Sequence, residues 1–283
     1  MFGKISRNGF TLLEVIVVIG IISLMVGILV PVLYRVWESQ EIDTTKENMI
    51  KLKEAMVGNP AQISNGVRTN FGFVGDLGQL PPDFDSLISY TNTNGETFGP
   101  YLSGGINPQS FKKDAWGNDL FYTTNAFGMR QSATIKSLGS DKAIGGKGTA
   151  EDIEITIDSN EVLPASSASC NVLVRYAVAP ASTFNANITV HILFKDGEGL
   201  DIEQTFVSPV TVTYNEGNPQ NNYTFGMNSA LIRKLPIGMA RIWAVIDKNS
   251  SGNPLITAGP PVYIAVNDRA STIYANNLSI SVP

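Results

Sequence analysis

Residues 7–22, RNGFTLLEVIVVIGII, decide how the rest of the chain is read. They open an apolar run, Val15 to Tyr34, of about the 20 residues that cross a ~30 Å hydrocarbon layer as a helix. Yet Glu14 stands at its start, where no lipid tail solvates a carboxylate. A charge in the bilayer interior costs roughly 2.5–3.5 kcal/mol on insertion scales and calls for a partner.

The flanks extend the reading. Met1 to Gly9 carries Lys4 and Arg7 and no acid, so it stays on the cytoplasmic side while the adjoining run enters the membrane. The run is longer than the core of a secretory signal, and no A-x-A-like site comes after it. Pro31 removes one backbone donor and is expected to loosen or kink the helix. Beyond the membrane, VWESQEIDTTKENMIKLKEAMVGNP (36–60) places Ile42, Met49 and Met56 seven apart with Thr45 and Leu52 between them, then stops at Gly58 and Pro60. One helix is therefore predicted over 10–57, its first half in lipid at about 15–34 and its second half in a soluble domain. A plain membrane anchor gives the same pattern, but has no use for Glu14. A cut between Gly9 and Phe10 would free an amino group one helical turn from Glu14, or beside the Glu14 of a neighbouring copy.

Composition bounds the partners. The 283 residues, 43% hydrophobic, have room for two domains with real cores. Lys+Arg 20 against Asp+Glu 25, a net charge of -5, disfavours nucleic acid as a partner. The single cysteine, Cys170, cannot close an intrachain disulfide. No catalytic constellation is visible: the only histidine, His191 in TVHILF, reads as a partly buried strand residue, Cys170 as a small core residue, and the loop glycines lack the Lys-Ser/Thr ending of a P-loop. The chain reads as a non-enzyme.

Gly9 and then FTLLEVIVVIGIISLMVGILVPVLYR resemble the amino terminus of type IV pilins and pseudopilins. The likeness rests on a short basic leader ending in Gly, a Phe after the cut, Glu as fifth residue of the mature chain and Pro near the end of the apolar stretch. It implies a leader, 1–9, removed by a prepilin peptidase that methylates Phe10. It further implies export from the inner membrane through an ATPase-driven assembly platform into a helical homopolymer cored by these helices. Glu14 would then meet the Phe10 amine of another subunit. Gly20 and Gly27 either permit close helix approach or are simply small residues tolerated in lipid.

Residues 58–158 narrow the resemblance. Gly99-Pro100-Tyr101-Leu102, Asp114-Ala115-Trp116-Gly117-Asn118, Ser137-Leu138-Gly139 and the Gly-rich loop leading to Asp152-Ile153 are similar to the major pseudopilin of the type II secretion system. By itself DAWGNDLFYTT reads as a turn opening a strand, and ATIKSLG and DIEITI as strands flanking the loop. A small antiparallel sheet packed on the long helix is expected. The loop offers glycines at 139, 145, 146 and 148 and only oxygen donors from Ser140, Asp141, Thr149, Glu151 and Asp152. The resemblance implies calcium held by Asp141, Asp152 and the Leu138 carbonyl. Lys142 and Lys147 place positive charge in the loop, and a Gly-rich connection closed without metal reads equally well.

From 159 to 283 short alternating or apolar runs, among them CNVLVRYAVA, NITVHILFKD, LDIEQTF, VTVTY, ARIWAVID, PVYIAV and LSISV, are separated by Gly, Asn, Pro and Asp turns. They predict an immunoglobulin- or fibronectin-like β-sandwich, a separate unit joined by the polar stretch SNEVLPASSAS and dispensable for assembly. The fold class is thus α+β with an added all-β sandwich. Asn-x-Ser/Thr triplets at Asn187, Asn222, Asn249 and Asn277 read as surface turns. Two roles stay open: a filament subunit, at the cell surface as a pilus or in the periplasm as a pseudopilus, displaying the sandwich; or a minor tip subunit whose sandwich binds a surface protein or glycan.

Overall fold

The computed structural model describes residues 11–102, 110–125, 129–176, 184–212, 223–248, 255–268 and 270–282. The long helix is present as one element, α1 (Leu12–Val57), continuous through Pro31. Every residue from 11 to 40 is exposed, which leaves the apolar half of α1 without a protein partner. Its second half buries Thr45, Met49, Leu52, Ala55, Met56 and Val57, the stripe expected from the seven-residue spacing. Thr45 is buried although polar; its hydroxyl donates to the Glu41 carbonyl at 2.9 Å and accepts the Ala115 N–H at 3.0 Å.

A first core forms on that stripe. Two short ribbons, β1 (Ile63–Ser64) with β2 (Val67–Arg68) and β3 (Tyr90–Thr91) with β4 (Thr97–Phe98), flank the short α2 (Gly72–Leu77). The antiparallel sheet comes next as β5 (Phe121–Thr124), β6 (Ala133–Ser137) and β7 (Ile153–Ile157), with Tyr122 opposite Ile135 and Ile135 opposite Ile155. Ala133, Ile135, Ile153 and Ile157 meet Met49, Leu52, Phe73, Leu77 and Leu80 in one cluster. This is the pilin-like arrangement: a long apolar-headed helix packed on a small sheet.

The stretch expected to be a polar linker is not a free tether. Asp158 and Glu161 form a capping box on the one-turn α3 (Ser159–Val162), and Val162 and Leu163 are buried in the first core. Ala165, three residues after Val162, already belongs to a second core.

That second core lies between two sheets. Its elements are β8 (Ala165–Tyr176), β9 (Phe184–Lys195), β10 (Asp201–Val212), β11 (Tyr223–Leu235), β12 (Gly238–Lys248), β13 (Leu255–Ala258), β14 (Val262–Val266) and β15 (Thr272–Val282). One sheet runs β10-β9-β12, with β13 and β14 sharing the far edge of β12 as an interrupted strand; the other runs β11-β8-β15. Alternate residues Val172, Val174, Ile188, Val190, Ile192, Ile242, Ala244, Ile246, Leu278 and Ile280 from both sheets are buried together. Two stacked sheets are therefore present, but the immunoglobulin expectation needs correction in its topology. In the immunoglobulin order the first two strands share a sheet. Here β8 and β9 lie in different sheets, and β8 sits between β11 and β15, pairing in parallel with the latter.

The two units are joined by more than the chain. Ile237, in the turn between β11 and β12, is buried in the first core, and its N–H donates to the Val162 carbonyl at 2.9 Å. The β9–β10 turn closes on α2: Gln79 Nε2 donates to the Gly197 carbonyl at 2.6 Å and the Gly199 N–H to the Leu77 carbonyl at 3.2 Å. Arg68, nearly buried, pairs with Asp268 beyond β14 at 2.9 Å and also donates to the carbonyls of Val57 and Asn70. Three loops at one end of the two-sheet unit thus clasp the first unit.

Candidate assembly site and the glycine-rich loop

Gly9 and Phe10 lie outside the described residues. The helix begins immediately after them: Thr11 is the N-cap, its hydroxyl accepting the Glu14 N–H at 3.3 Å while the Glu14 carboxylate accepts the Thr11 N–H at 3.4 Å. This capping box satisfies two of the free N–H groups at the helix start. Its signature, Thr-x-x-Glu before an apolar run, stands openly in the sequence, but is masked when Glu14 is considered only as a charge. The box uses one carboxylate oxygen through one long hydrogen bond. Since an ionised carboxylate offers about four acceptor sites, an external amine still has room on Glu14. Negative charge in the first turn is also favoured by the helix dipole. Among residues 11–34, Glu14 is the sole ionisable side chain other than Tyr34.

The loop from 138 to 152 closes on itself. Ser140 N–H donates to the Thr149 carbonyl at 2.8 Å, and Asn118 Nδ2 to the Gly139 carbonyl at 2.8 Å. Gly139 and Gly146 are required by space and by backbone: their φ values are 66° and 98°, and a Cβ would lie 2.6 Å from the Thr149 oxygen and 2.1 Å from the Ala150 oxygen, respectively.

Two of the three expected calcium ligands, Asp141 and Asp152, are engaged by other groups. Asp141 is exposed, with one carboxylate oxygen accepting the Ala143 N–H at 3.0 Å. Asp152 instead faces Lys136 of β6: its Oδ2 takes the Lys136 ammonium at 2.9 Å and the Gly145 N–H at 3.1 Å. These contacts, the lysine first, hold the Asp152 carboxyl below the usual carboxylate range. Oδ1 of Asp152 is a buried side-chain oxygen left without a partner. As folded, both carboxylates expected to face a calcium ion are thus engaged by the chain's own groups.

The remaining residues singled out in the sequence sit in the second unit. His191 stacks on Trp243 from the neighbouring β12, with ring centroids 5.0 Å apart and planes 8° apart, and contacts Glu203 of β10. Arg241 lies over the same indole at 5.2 Å. This is a cross-strand ladder on the side of the sheet away from the core. Cys170 is buried, and burial pushes its thiol up to about 11.

A lipid-length exposed helix with one carboxylate at its capped start, continuing into the core of a small α+β domain, defines a subunit of the pilin class. Residues 5–30 match the prokaryotic N-terminal methylation motif, and residues 71–156 match the family described as type II secretion system (T2SS), protein G. The chain is 30% identical over 148 residues to the type II secretion system core protein G of Vibrio cholerae serotype O1 (strain ATCC 39315 / El Tor Inaba N16961), an alignment covering 52% of this chain and 90% of that protein. No solved structure matches. The chain belongs to the type II secretion system pseudopilin family of protein G, and is a structural subunit rather than an enzyme. The matched family regions end at residue 156, before the two-sheet unit begins.

Proposed function

We propose that the chain is cut between Gly9 and Phe10 by a prepilin peptidase, methylated at Phe10 and lifted from the inner membrane by an assembly platform into a helical filament, periplasmic or extracellular, of its own copies. The carrying observation is the exposed half of α1. It offers side chains suited to lipid in the precursor and to the helices of other copies in the filament, and one carboxylate that neither lipid nor the isolated chain neutralises. In the filament Glu14 would accept the Phe10 amine of a neighbour, a charge-assisted hydrogen bond in a dry setting. The two-sheet unit is held at the outside of the fibre, where its strand faces are free for recognition.

Glu14→Ala separates the two environments. The variant is expected in the membrane fraction at wild-type level or above, because a costly charge has gone, while filament yield falls severely. Wild-type filament yield from Glu14→Ala would remove the reading.

A further inference from the structure

The Gly-rich loop carries its own positive charge. Between residues 136 and 152 stand three lysines, Lys136, Lys142 and Lys147, and three acids, Asp141, Glu151 and Asp152, so the segment is neutral before any ion is added. Lys136 is on the middle strand of the sheet, with Glu154 opposite it on β7. Its ammonium reaches past that register to Asp152, where the loop rejoins the sheet, and the side chains are 29% and 17% exposed. The same Asp152 oxygen accepts the Gly145 N–H from the far side of the loop. One lysine and one carboxylate therefore tie together the strand before the loop, its tip and its return. A divalent ion placed on the free Oδ1 would sit beside this ammonium and be repelled by it, with Asp141 turned to its own backbone.

We propose that the Lys136 ammonium is the cation that closes this loop in place of a divalent ion, so that the loop keeps its fold in chelator. Closure by Lys136 is internal to the loop and its sheet and does not depend on polymerisation. In functional terms, a subunit of this kind would fold and mature without drawing on calcium.

The test uses the full chain in detergent and endoproteinase Lys-C, with the rate of cleavage after Lys142 and Lys147 followed as a measure of loop opening. Wild-type cleavage at these bonds is expected to differ by less than about twofold between excess calcium and EDTA. Lys136→Met should speed it by about tenfold or more, the effect of losing one charge-assisted hydrogen bond, and Lys136→Arg should stay near wild type. Calcium protection of the wild type beyond about twofold overturns the proposal, and this arm needs no variant. Cleavage of Lys136→Met at the wild-type rate overturns it equally.

Discussion

Replacing Ile237 by Ala tests how the two units are coupled. Ile237 belongs to the two-sheet unit by sequence but is 1% exposed within the first core, beside Val162 and Leu163. The substitution removes three carbons, about 2.4 kcal/mol at ~0.8 kcal/mol per buried methylene, and the cavity left behind raises the cost into the range of roughly 2–5 kcal/mol. Its backbone bond to Val162 survives. Hydrogen exchange read by mass spectrometry on the full chain in detergent assigns the loss to a unit. Amides of the first core, such as Ile135 in β6, should lose about 2 kcal/mol or more of protection. Those of Val190 and Ile192, in the centre of the second core, should change by less than about 0.5 kcal/mol. Equal loss in both would show that the two cores unfold as one, and no loss in either would remove Ile237 from the first core; either result contradicts a coupling carried by Ile237.

Ending the chain at Asp158 takes Val162, Leu163 and Ile237 out of the first core together, about 4.5–9 kcal/mol at ~1.5–3 kcal/mol per side chain, against a whole-domain stability of roughly 5–15 kcal/mol. The truncated subunit is expected to be protease-sensitive and poorly soluble, checked by limited proteolysis and sedimentation, whereas a soluble, assembling truncation would show that the clasp is dispensable. Glu14→Gln keeps the capping box, since Gln serves at that position, but loses the charge; it should block assembly about as strongly as Glu14→Ala, measured as sheared fibre per cell. Cys170 should resist thiol reagents at pH 8 in the native chain, because burial places its thiol at about 11 and shields it, and should react fully in denaturant.

Much of the fold is legible in the sequence because it is local or periodic. The stripe Thr45, Met49, Leu52, Met56 and the strands β5, β6 and β7 arise from spacing alone. β11 is not legible: its start, YTFGMNS, has no clean alternation and carries Gly226, Asn228 and Ser229, and it is a strand because β8 pairs with it from residue 165 to 174. LDIEQTF and VTVTY read as two runs, yet β10 passes straight through Pro209, which is tolerated because β10 is the edge of its sheet. SNEVLPASSAS reads as linker by polarity; the two apolar residues that matter, Val162 and Leu163, are buried by partners distant in sequence. Strand order is beyond reach, since the parallel pairing of β8 with β15 joins residues about 105 apart and no spacing rule encodes it. The likeness to pseudopilins brings an expected calcium site, while the ion pair that occupies Asp152 depends on Lys136, which lies outside the Gly-rich loop.

On this reading the chain loses its leader and is then built into fibres. The intact mass of the main subunit in fibres sheared from producing cells, or collected from their envelope, tests it most directly. The expected mass lacks Met1 to Gly9 and carries one added methyl group at Phe10. Fibres built from a chain that still carries Met1 to Gly9, or a processed chain found only as a membrane-bound monomer, would contradict it.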